Sequence, residues 1–287
     1  MAKIKTKVLL DSSDTKETEE LLSLGAVLHG QTTNPSLLAK SPSVKERIAG
    51  GEALTEEDIL TLYRELIINI ADLIPDGPVS IEVHSEVYSS ADELLKQGKE
   101  MFEWTKNAYV KYPITTAGLV AAERSLSLGM RVNMTLCFSE QQAAAVYAIS
   151  RGSKPGSVLL SPFIGRLDDV DQNGVSLISN IKQLYKDGDS HVEVLAASVR
   201  TMEHFMAMLA LEVEQVTAPF SILKKWAELD MPIPDSTYVY DSRRLSDIPK
   251  ERLSLGQPWV DYDIRHPLTE NGLKRFADDW NKLLALE

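Results

Sequence analysis

A lysine inside an apolar segment is the first residue of this sequence that could do chemistry. Lys111 lies between Val110 and Tyr112 in the run AYVKYP. An ammonium group on a buried strand loses hydration, which lowers its pKa and makes the neutral amine available as a nucleophile. Such an amine suits Schiff-base chemistry with a carbonyl compound. Strand position alone favours a simpler alternative, in which the lysine extends to solvent or pairs with an acid.

Two carboxylates on separate apolar segments could complete such a reaction. Conversion of a carbinolamine to an imine needs a proton shuttle, and cleavage of a carbon–carbon bond needs a base for the neighbouring hydroxyl. Glu82 in VSIEV and Asp11 at the end of VLLD could serve these roles. The structural alternatives are a helix cap for Asp11 and a salt bridge for Glu82. Considered together with Lys111, the two acids favour the catalytic roles over these structural alternatives.

Two arginines could bind an anion. Arg166 follows one apolar segment in SPFIGR, and Arg200 follows the next in AASVRT. In α/β barrels the loops after the late strands often bind phosphate, and a guanidinium group can bind an oxyanion through two parallel hydrogen bonds. A surface salt bridge is the alternative for each arginine. Their equivalent positions in an acidic chain favour a local anion site.

The elements that must position these residues are short apolar segments typical of strands. Eight occur, each too short for a helix, and most are rich in Val, Ile and Thr. They span residues 8–11, 26–34, 79–83, 108–113, 131–138, 157–163, 192–198 and 215–220. Longer segments with helical periodicity separate them, among them residues 57–73, 91–105, 119–128, 141–150 and 202–211.

Eight strands separated by helices predict an α/β fold, a single (β/α)8 TIM barrel. A doubly wound open sheet is the alternative, but no G-x-G-x-x-G turn follows the first strand. Functional groups of a barrel lie at the carboxyl ends of its strands. Polar residues occur in or directly after seven of the predicted strands, namely Asp11, Thr32, Thr33, Asn34, Glu82, Lys111, Asn133, Thr135, Ser161 and Ser198.

The composition limits the classes of partner and compartment. The 287 residues carry 30 Lys and Arg against 42 Asp and Glu, a formal net charge of −12, which disfavours nucleic acid and anionic lipid as partners. The single Cys137 excludes an internal disulfide, and the segment MAKIKTKVLL lacks the apolar core of a signal peptide. No apolar stretch approaches the ~18 residues of a membrane span. We expect a cytoplasmic protein without nucleic-acid or membrane partners.

The length fits two domains or one large barrel, and the strand count favours one barrel domain over residues 1–229. Residues 230–287 are predicted to be an extension packed on the barrel, not a separate domain. Its first part, residues 230–267, contains many prolines and no long periodic helix. A final helix over residues 270–284 presents one apolar face, which could cap the barrel or dock on a neighbouring subunit of a homo-oligomer. That face consists of Leu273, Phe276, Trp280 and Leu283.

Six segments resemble the transaldolase family, whose members are class I (Schiff-base) aldolases built on a (β/α)8 barrel. The segments are TTNPSLLAKS, VKYPIT with AGLVAAERSLSLG, VNMTLCFSEQQA, SPFIGRLDD, VLAASVRT and VTAPFSIL. They follow one another along the predicted strands, and six matches in order are far more specific than any single one.

The resemblance implies a role for each matching residue. Lys111 matches the Schiff-base lysine, Glu82 matches the acid/base that acts through a water held with Thr135, and Asp11 matches the base for the C4 hydroxyl. Family chemistry of this kind uses no metal and no organic cofactor. The substrate-binding residues expected on the same basis, with the arginines as phosphate ligands, are Asn34, Thr33, Asn133, Ser161, Phe163, Arg166, Ser198 and Arg200.

The activity implied by the resemblance is transfer of a dihydroxyacetone unit, as in the pentose phosphate pathway. A ketose phosphate such as fructose 6-phosphate or sedoheptulose 7-phosphate would form an imine at Lys111, and the bound enamine would pass to an aldose phosphate. One alternative is transfer from the sulfosugar 6-deoxy-6-sulfofructose, because an arginine pair binds sulfonate as well as phosphate. Another is a fructose-6-phosphate aldolase that releases free dihydroxyacetone. Glu82 and Phe163 resemble the transferase branch, because the aldolases tend to carry glutamine and tyrosine there.

Three departures from the family pattern leave acceptor specificity and assembly open. Tyr112 replaces an aliphatic residue after the lysine, His84 and Ser85 follow Glu82, and residues 230–267 have no clear counterpart in the shorter members. A non-enzyme alternative is a barrel that binds sugar phosphates, or a partner through residues 230–267, without turnover.

Overall fold

Eight parallel strands close into a barrel in the computed structural model of the protein, which describes residues 4–50, 53–235, 237–242 and 244–284. Each barrel strand pairs with the next, and the eighth pairs with the first. The predicted (β/α)8 barrel is therefore confirmed, and an open doubly wound sheet is excluded. The strands are β1 Lys7–Asp11, β2 Gly30–Thr32, β3 Val79–Glu82, β4 Ala108–Pro113, β5 Val132–Cys137, β6 Val158–Pro162, β7 Val192–Ala196 and β8 Gln215–Ala218.

Helices alternate with the strands. They are α1 Thr15–Ser23, α2 Pro35–Leu38, α3 Pro42–Ala49, α4 Glu56–Leu73, α5 Ala91–Phe102, α6 Thr116–Ser127, α7 Glu140–Ile149, α8 Ile164–Asp168, α9 Gly174–Tyr185, α10 Met202–Ala210, α11 Phe220–Glu228 and α12 Pro267–Leu284. Capping boxes at Thr55 and Ser90 begin α4 and α5 by satisfying backbone N–H groups of the first turn. The predicted helix ends differ from the observed ones by at most three residues.

The second strand is much shorter than the predicted segment 26–34. Its observed range is Gly30–Thr32, because Asn34 already caps α2 by accepting a hydrogen bond from the Leu37 backbone N–H, and Pro35 occupies the first helical position. At the other end, a β-carbon on Gly30 would lie 2.5 Å from the carbonyl oxygen of Pro78. The strand therefore begins where only glycine fits and ends where a helix begins.

An apolar layer fills the barrel beneath its carboxyl end. Leu9, Leu159 and Leu195 are fully buried and form a small cluster against Tyr109. Side chains two positions apart on a strand share one face. Asp11, Lys111 and Ser161 lie two residues beyond members of this layer, so they occupy the next level towards the open end. The layer closes the barrel below the candidate reactive groups.

The described part of the segment 230–267 runs over the outside of the barrel with little regular structure. Within its described part, Ser246–Asp247 pairs with Gln172–Asn173, and Trp259–Asp261 forms one 3₁₀ turn. Asn180 of α9 donates a hydrogen bond to the Ile248 carbonyl oxygen over 2.9 Å. The expected absence of a long helix in this segment holds for the residues described.

The final helix α12 covers the barrel of its own chain. Its predicted apolar residues Leu273, Phe276, Trp280 and Leu283 are all buried, and the helix packs on α2 and β5. The sequence predicted that this face could cap the barrel or dock on a neighbouring subunit, and in the structure it packs on the barrel. Among the helices of the described residues, none combines the length and hydrophobicity needed to cross a membrane.

Candidate active site

Lys111 and Glu82 form a buried ion pair at the centre of the barrel. Nζ of Lys111 lies 2.8 Å from Oε2 of Glu82, and the side chains are 5% and 3% exposed. The strands set this contact, because Glu82 of β3 is in register with Lys111 of β4, and Lys111 is in register with Asn133 of β5. Nζ also donates a hydrogen bond to the Thr33 carbonyl oxygen over 2.8 Å. Lys111 therefore pairs with an acid, which was one of the structural alternatives drawn from the sequence. The pair lies inside the barrel and not at the solvent-exposed surface.

The carboxyl groups around this lysine have raised pKa values. Burial raises the pKa of Glu82, and the positive charges of Lys111 and Arg166 oppose that shift in part. Burial likewise raises the pKa of Asp11, opposed by the charge of Lys111 and by a hydrogen bond from Thr32. Carboxyl groups with raised pKa values exchange protons more readily near neutral pH. The site is thus electrostatically suited to acid/base chemistry.

Asp11 is oriented by a pair of threonines. Thr32 Oγ1 donates to Asp11 Oδ1 over 2.7 Å and lies 2.7 Å from Thr217 Oγ1. Asp11 and Thr32 end β1 and β2, Thr217 is the penultimate residue of β8, and β1 lies between the other two strands in the barrel. The hydrogen bond holds the carboxylate at the end of its strand.

A second polar network lies on the other side of Lys111. Ser161 Oγ donates to Asn133 Oδ1 over 2.7 Å, and Asn133 Nδ2 donates to Ser80 Oγ over 3.1 Å. Thr135 Oγ1 is buried and has no hydrogen-bond partner among the described residues. Buried polar atoms are normally paired, so this hydroxyl is available to a water or a substrate.

Arg166 is held between two aromatic rings. Its guanidinium carbon lies 5.3 Å from the ring centre of Phe163 and 5.2 Å from that of Phe276. Burial lowers the pKa of Arg166 to about 10, and the nearby charge of Arg275 acts in the same direction. The group stays protonated at neutral pH. A partly desolvated cation with few competing waters is a strong ligand for an anion.

These residues face one cleft of about 200 Å³ at the carboxyl ends of the strands. Among the predicted site residues, those lining it are Asp11, Asn34, Lys111, Ser161, Phe163, Arg166, Ser198 and Arg200. Glu82, Asn133 and Thr135 are buried next to them. The structure therefore brings eleven of the twelve predicted side chains together.

Thr33 is the predicted residue whose side chain the structure places elsewhere. Its Oγ1 lies 2.6 Å from the hydroxyl of Tyr63 and donates to the Ser80 carbonyl oxygen. Side chains alternate along an extended chain, so Thr32 faces the cleft and Thr33 faces the surrounding helices. Only the carbonyl group of Thr33 contacts Lys111.

Two basic residues of the cleft were not predicted. They are Arg275, which comes from α12 together with the aromatic Phe276, and Lys40, which lies between α2 and α3. The sequence indicated that the apolar face of α12 could cap the barrel, but it did not indicate that Arg275 and Phe276 line the cleft. Arg275 adds a third guanidinium group beside Arg166 and Arg200, so the mouth of the cleft is basic in an acidic protein.

Two departures from the family pattern have structural explanations. Tyr112 points away from the cleft: its hydroxyl lies 3.0 Å from Ser125 Oγ, and a β-carbon on Gly98 would lie 1.8 Å from it. Glycine at position 98 thus makes room for the tyrosine. His84 stacks on Trp280 of α12 at 5.1 Å between ring centres, so it helps to seat the final helix.

The fold and the cleft together define an α/β-barrel protein with a buried lysine–carboxylate pair at a cleft on the carboxyl ends of its strands. The family model described as "Transaldolase/Fructose-6-phosphate aldolase" matches residues 8–287, so the chain belongs to that family. A "Probable transaldolase" of Brucella ovis is 34% identical over 276 residues, covering 96% of this chain and 97% of that one. Similar relatives with the same description are those of Cereibacter sphaeroides (34%; 96% of each chain) and Herpetosiphon aurantiacus (31%; 96% of each chain). Family and relatives indicate a transaldolase-type aldolase.

Proposed function

We propose that this protein is a transaldolase that moves a dihydroxyacetone unit from a ketose phosphate to an aldose phosphate. Fructose 6-phosphate and sedoheptulose 7-phosphate are the donors that we consider. The observation that carries the proposal is the 2.8 Å contact between Lys111 Nζ and Glu82 Oε2 at the base of a cleft whose mouth is basic. This contact supports the proposal because it sets an amine that lines the cleft beside a carboxylate that could accept its proton.

The first step of the proposed mechanism forms the imine. Glu82 takes a proton from the ammonium group of Lys111, and its raised pKa makes that transfer easier. The neutral amine adds to C2 of the ketose, giving a carbinolamine. Glu82 then returns a proton to the departing hydroxyl, so that water leaves and a protonated imine remains. A water held by the unpaired hydroxyl of Thr135 would carry these protons.

The second step breaks the C3–C4 bond. Asp11 removes the proton of the C4 hydroxyl, the new carbonyl forms at C4, and the bond electrons move into the imine to give an enamine. The hydrogen bond from Thr32 orients the carboxylate for this role. The aldose phosphate leaves, while the three-carbon unit stays bonded to Lys111.

The third step reverses the second on a new aldehyde. The enamine carbon attacks the carbonyl carbon of the acceptor, and Asp11 returns its proton to the resulting alkoxide. Hydrolysis of the imine then restores the amine and releases the product ketose. We assign Asn34, Asn133, Ser161 and Ser198 to the substrate hydroxyls, since their side chains lie in or directly beside the cleft.

The anionic end of the substrate belongs at the arginine cluster in this proposal. Arg166, Arg200 and Arg275 line the same end of the cleft. Guanidinium groups bind phosphate and sulfonate oxygens by the same hydrogen-bond geometry. A sulfonated ketose therefore remains the alternative donor, and a direct comparison of the two anions decides between them.

Transfer is favoured over release of free dihydroxyacetone by Phe163. Its ring lines the cleft and carries no hydroxyl that could help a water to hydrolyse the imine. We accordingly assign the chain to the transferring branch of its family. We also place the enzyme in the cytoplasm and treat residues 230–287 as an extension of the barrel domain, since the described part of this range contacts α9, α2 and β5.

An activity panel tests the proposal. Purified protein is incubated with fructose 6-phosphate, sedoheptulose 7-phosphate or 6-deoxy-6-sulfofructose, with and without an aldose phosphate acceptor. We expect product formation from a phosphorylated donor that depends on the acceptor. Free dihydroxyacetone at a comparable rate would assign an aldolase instead, turnover of the sulfonate alone would change the substrate, and no turnover with any donor would contradict the proposal.

A further inference from the structure

One side chain of the outer segment contacts a histidine that is bonded to the backbone of Arg200. The hydroxyl of Tyr240 lies 3.0 Å from Nε2 of His204, and the two rings are 5.7 Å apart. His204 is 4% exposed and lies in the first turn of α10. A second tyrosine of the same stretch, Tyr238, donates a hydrogen bond to the Glu203 carbonyl oxygen over 3.1 Å. Residues 238–240 are thus docked on the start of α10.

His204 connects a loop and a short helix that each carry an arginine of the cleft. Its Nδ1 lies 3.4 Å from the backbone nitrogen of Arg200, and its Nε2 lies 2.7 Å from Oδ2 of Asp168. Because Nδ1 accepts the backbone N–H, we assign the ring proton to Nε2, which then donates to the carboxylate and towards the tyrosine oxygen. The imidazole joins the loop after β7 to the end of α8.

Arg200 is held at both ends by this arrangement. Its backbone N–H is bonded to His204, and its guanidinium group is bonded to the carboxylate of Asp169, the neighbour of Asp168. Oδ1 of Asp168 also accepts a hydrogen bond from the Gly174 backbone N–H over 3.1 Å, which ties the same turn to α9. The Arg200 side chain is 42% exposed, so without such restraints it would sample many rotamers.

We propose that His204 and Tyr240 are positioning residues that hold Arg200 for the anionic group of the substrate. Residues 230–267 would then contribute to substrate selection without touching the substrate. A side chain that is already fixed loses less conformational entropy on binding, so affinity for the anion rises. The inference rests on the proposed function only in assigning Arg200 to an anion.

The test compares two single-hydroxyl deletions on the same stretch of chain. Tyr240→Phe removes the contact with His204, whereas the control Tyr238→Phe removes a contact with the backbone of α10. Binding of inorganic phosphate is measured by isothermal titration calorimetry, and KM is measured for a phosphorylated ketose and for its unphosphorylated counterpart. We expect Tyr240→Phe to weaken phosphate binding about three- to tenfold and to raise only the KM of the phosphorylated substrate.

Two substitutions of His204 provide a second test of its effect on phosphate affinity. His204→Gln retains a hydrogen-bonding side chain, and His204→Leu does not, so we expect the glutamine variant to bind phosphate more tightly than the leucine variant. Melting temperatures of all four variants report folding. The inference is overturned if Tyr240→Phe leaves phosphate affinity unchanged, or if both tyrosine variants lose affinity equally.

The outcomes separate this inference from the proposed function. If the wild-type protein binds phosphate but transfers no dihydroxyacetone unit, the proposed function fails, and the effect of Tyr240→Phe on phosphate affinity still decides the inference. If the wild-type protein is an active transaldolase whose phosphate affinity does not depend on Tyr240 or His204, the inference alone fails. A wild-type protein that binds no phosphate and does not discriminate phosphorylated substrates contradicts both.

Discussion

Gly272 of the final helix lies directly against the guanidinium group of Arg166. A β-carbon at position 272 would be 2.6 Å from Nη1 of Arg166 and 2.7 Å from a methyl carbon of Leu136. One turn further along the helix, Phe276 packs on the same guanidinium group. Helix α12 therefore forms one wall of the end of the cleft that we propose binds the anion, so we expect changes in this helix to affect substrate binding as well as folding.

Gly272→Ala tests this contact. The added methyl group must displace the arginine or the helix, and we expect the KM for a phosphorylated ketose to rise about three- to tenfold. Alanine favours a helix over glycine by about 1 kcal/mol, so general loss of helix stability would not explain such a rise. The exposed neighbour Asn271 provides a control: Asn271→Ala should leave KM within twofold. Equal KM values for Gly272→Ala and the wild type would show that the contact is not critical.

Replacement of Asp11 should separate stability from activity. The pKa of Asp11 is raised in the folded protein above its ordinary value of 3.8, so ionisation of this group destabilises the fold as the pH rises through the folded-state value. Below pH 3.8 both states are protonated and the penalty disappears. Asp11→Asn should therefore raise the free energy of unfolding at neutral pH, by about 0.5 to 2 kcal/mol, while it lowers turnover.

Denaturant unfolding at several pH values measures this effect. The difference between Asp11→Asn and the wild type should be largest at neutral to alkaline pH and should shrink as the pH falls towards 4. A variant that is less stable than the wild type at pH 8 would refute the assigned direction of the pKa shift.

Arg166→Ala should discriminate between charged and uncharged substrates. Loss of a charge-assisted hydrogen bond costs about 1.5 to 3 kcal/mol, which corresponds to roughly a 10- to 150-fold loss of kcat/KM for a phosphorylated ketose. The unphosphorylated ketose should be affected far less. Arg265→Ala, at an exposed arginine of the outer segment, is the matched control. Equal losses on both substrates would remove Arg166 from the anion site.

Phe163→Tyr should shift the reaction from transfer towards release. The new hydroxyl would enter the cleft beside the imine and could hold the water that hydrolyses it. We expect free dihydroxyacetone to form from fructose 6-phosphate at a higher rate than in the wild type, measured by an enzymatic assay for dihydroxyacetone. Phe276→Tyr places a hydroxyl on the other ring next to Arg166 and should not have this effect. If both variants release alike, the position of the hydroxyl does not matter.

Local sequence signals predicted the barrel well, but not all of its element ends. Strand β4 has the predicted bounds 108–113 because a continuous apolar run with proline at its end leaves little freedom. The segment 26–34 forms a strand only over Gly30–Thr32, because the Asn34 cap and the close approach of Gly30 to Pro78 are decided by the neighbouring elements. Local sequence patterns determine the order of strands and helices, whereas the length of each strand depends on contacts across the barrel.

The sequence likewise predicted most, but not all, residues of the candidate site. Polar residues embedded in apolar strands marked Lys111, Glu82 and Asp11, since each strand brings its carboxyl end to the same face. Arg275 and Lys40 could not be predicted as site residues, because they reach the cleft only when α12 and the segment between α2 and α3 pack at the mouth of the barrel. The apolar periodicity of α12 indicated a face that could cap the barrel, but no spacing in the sequence indicated that Arg275 and Lys40 would line the cleft.

Trapping of the imine is the most direct test of the central claim that Lys111 forms a Schiff base. The protein is incubated with fructose 6-phosphate, reduced with sodium borohydride, digested and analysed by mass spectrometry. We predict a dihydroxyacetone-sized adduct on the peptide that contains Lys111, its absence from Lys111→Met, and no adduct on Lys40 of the same cleft. An unmodified Lys111 in wild-type protein that turns over the substrate, or an adduct on another lysine, would contradict the account.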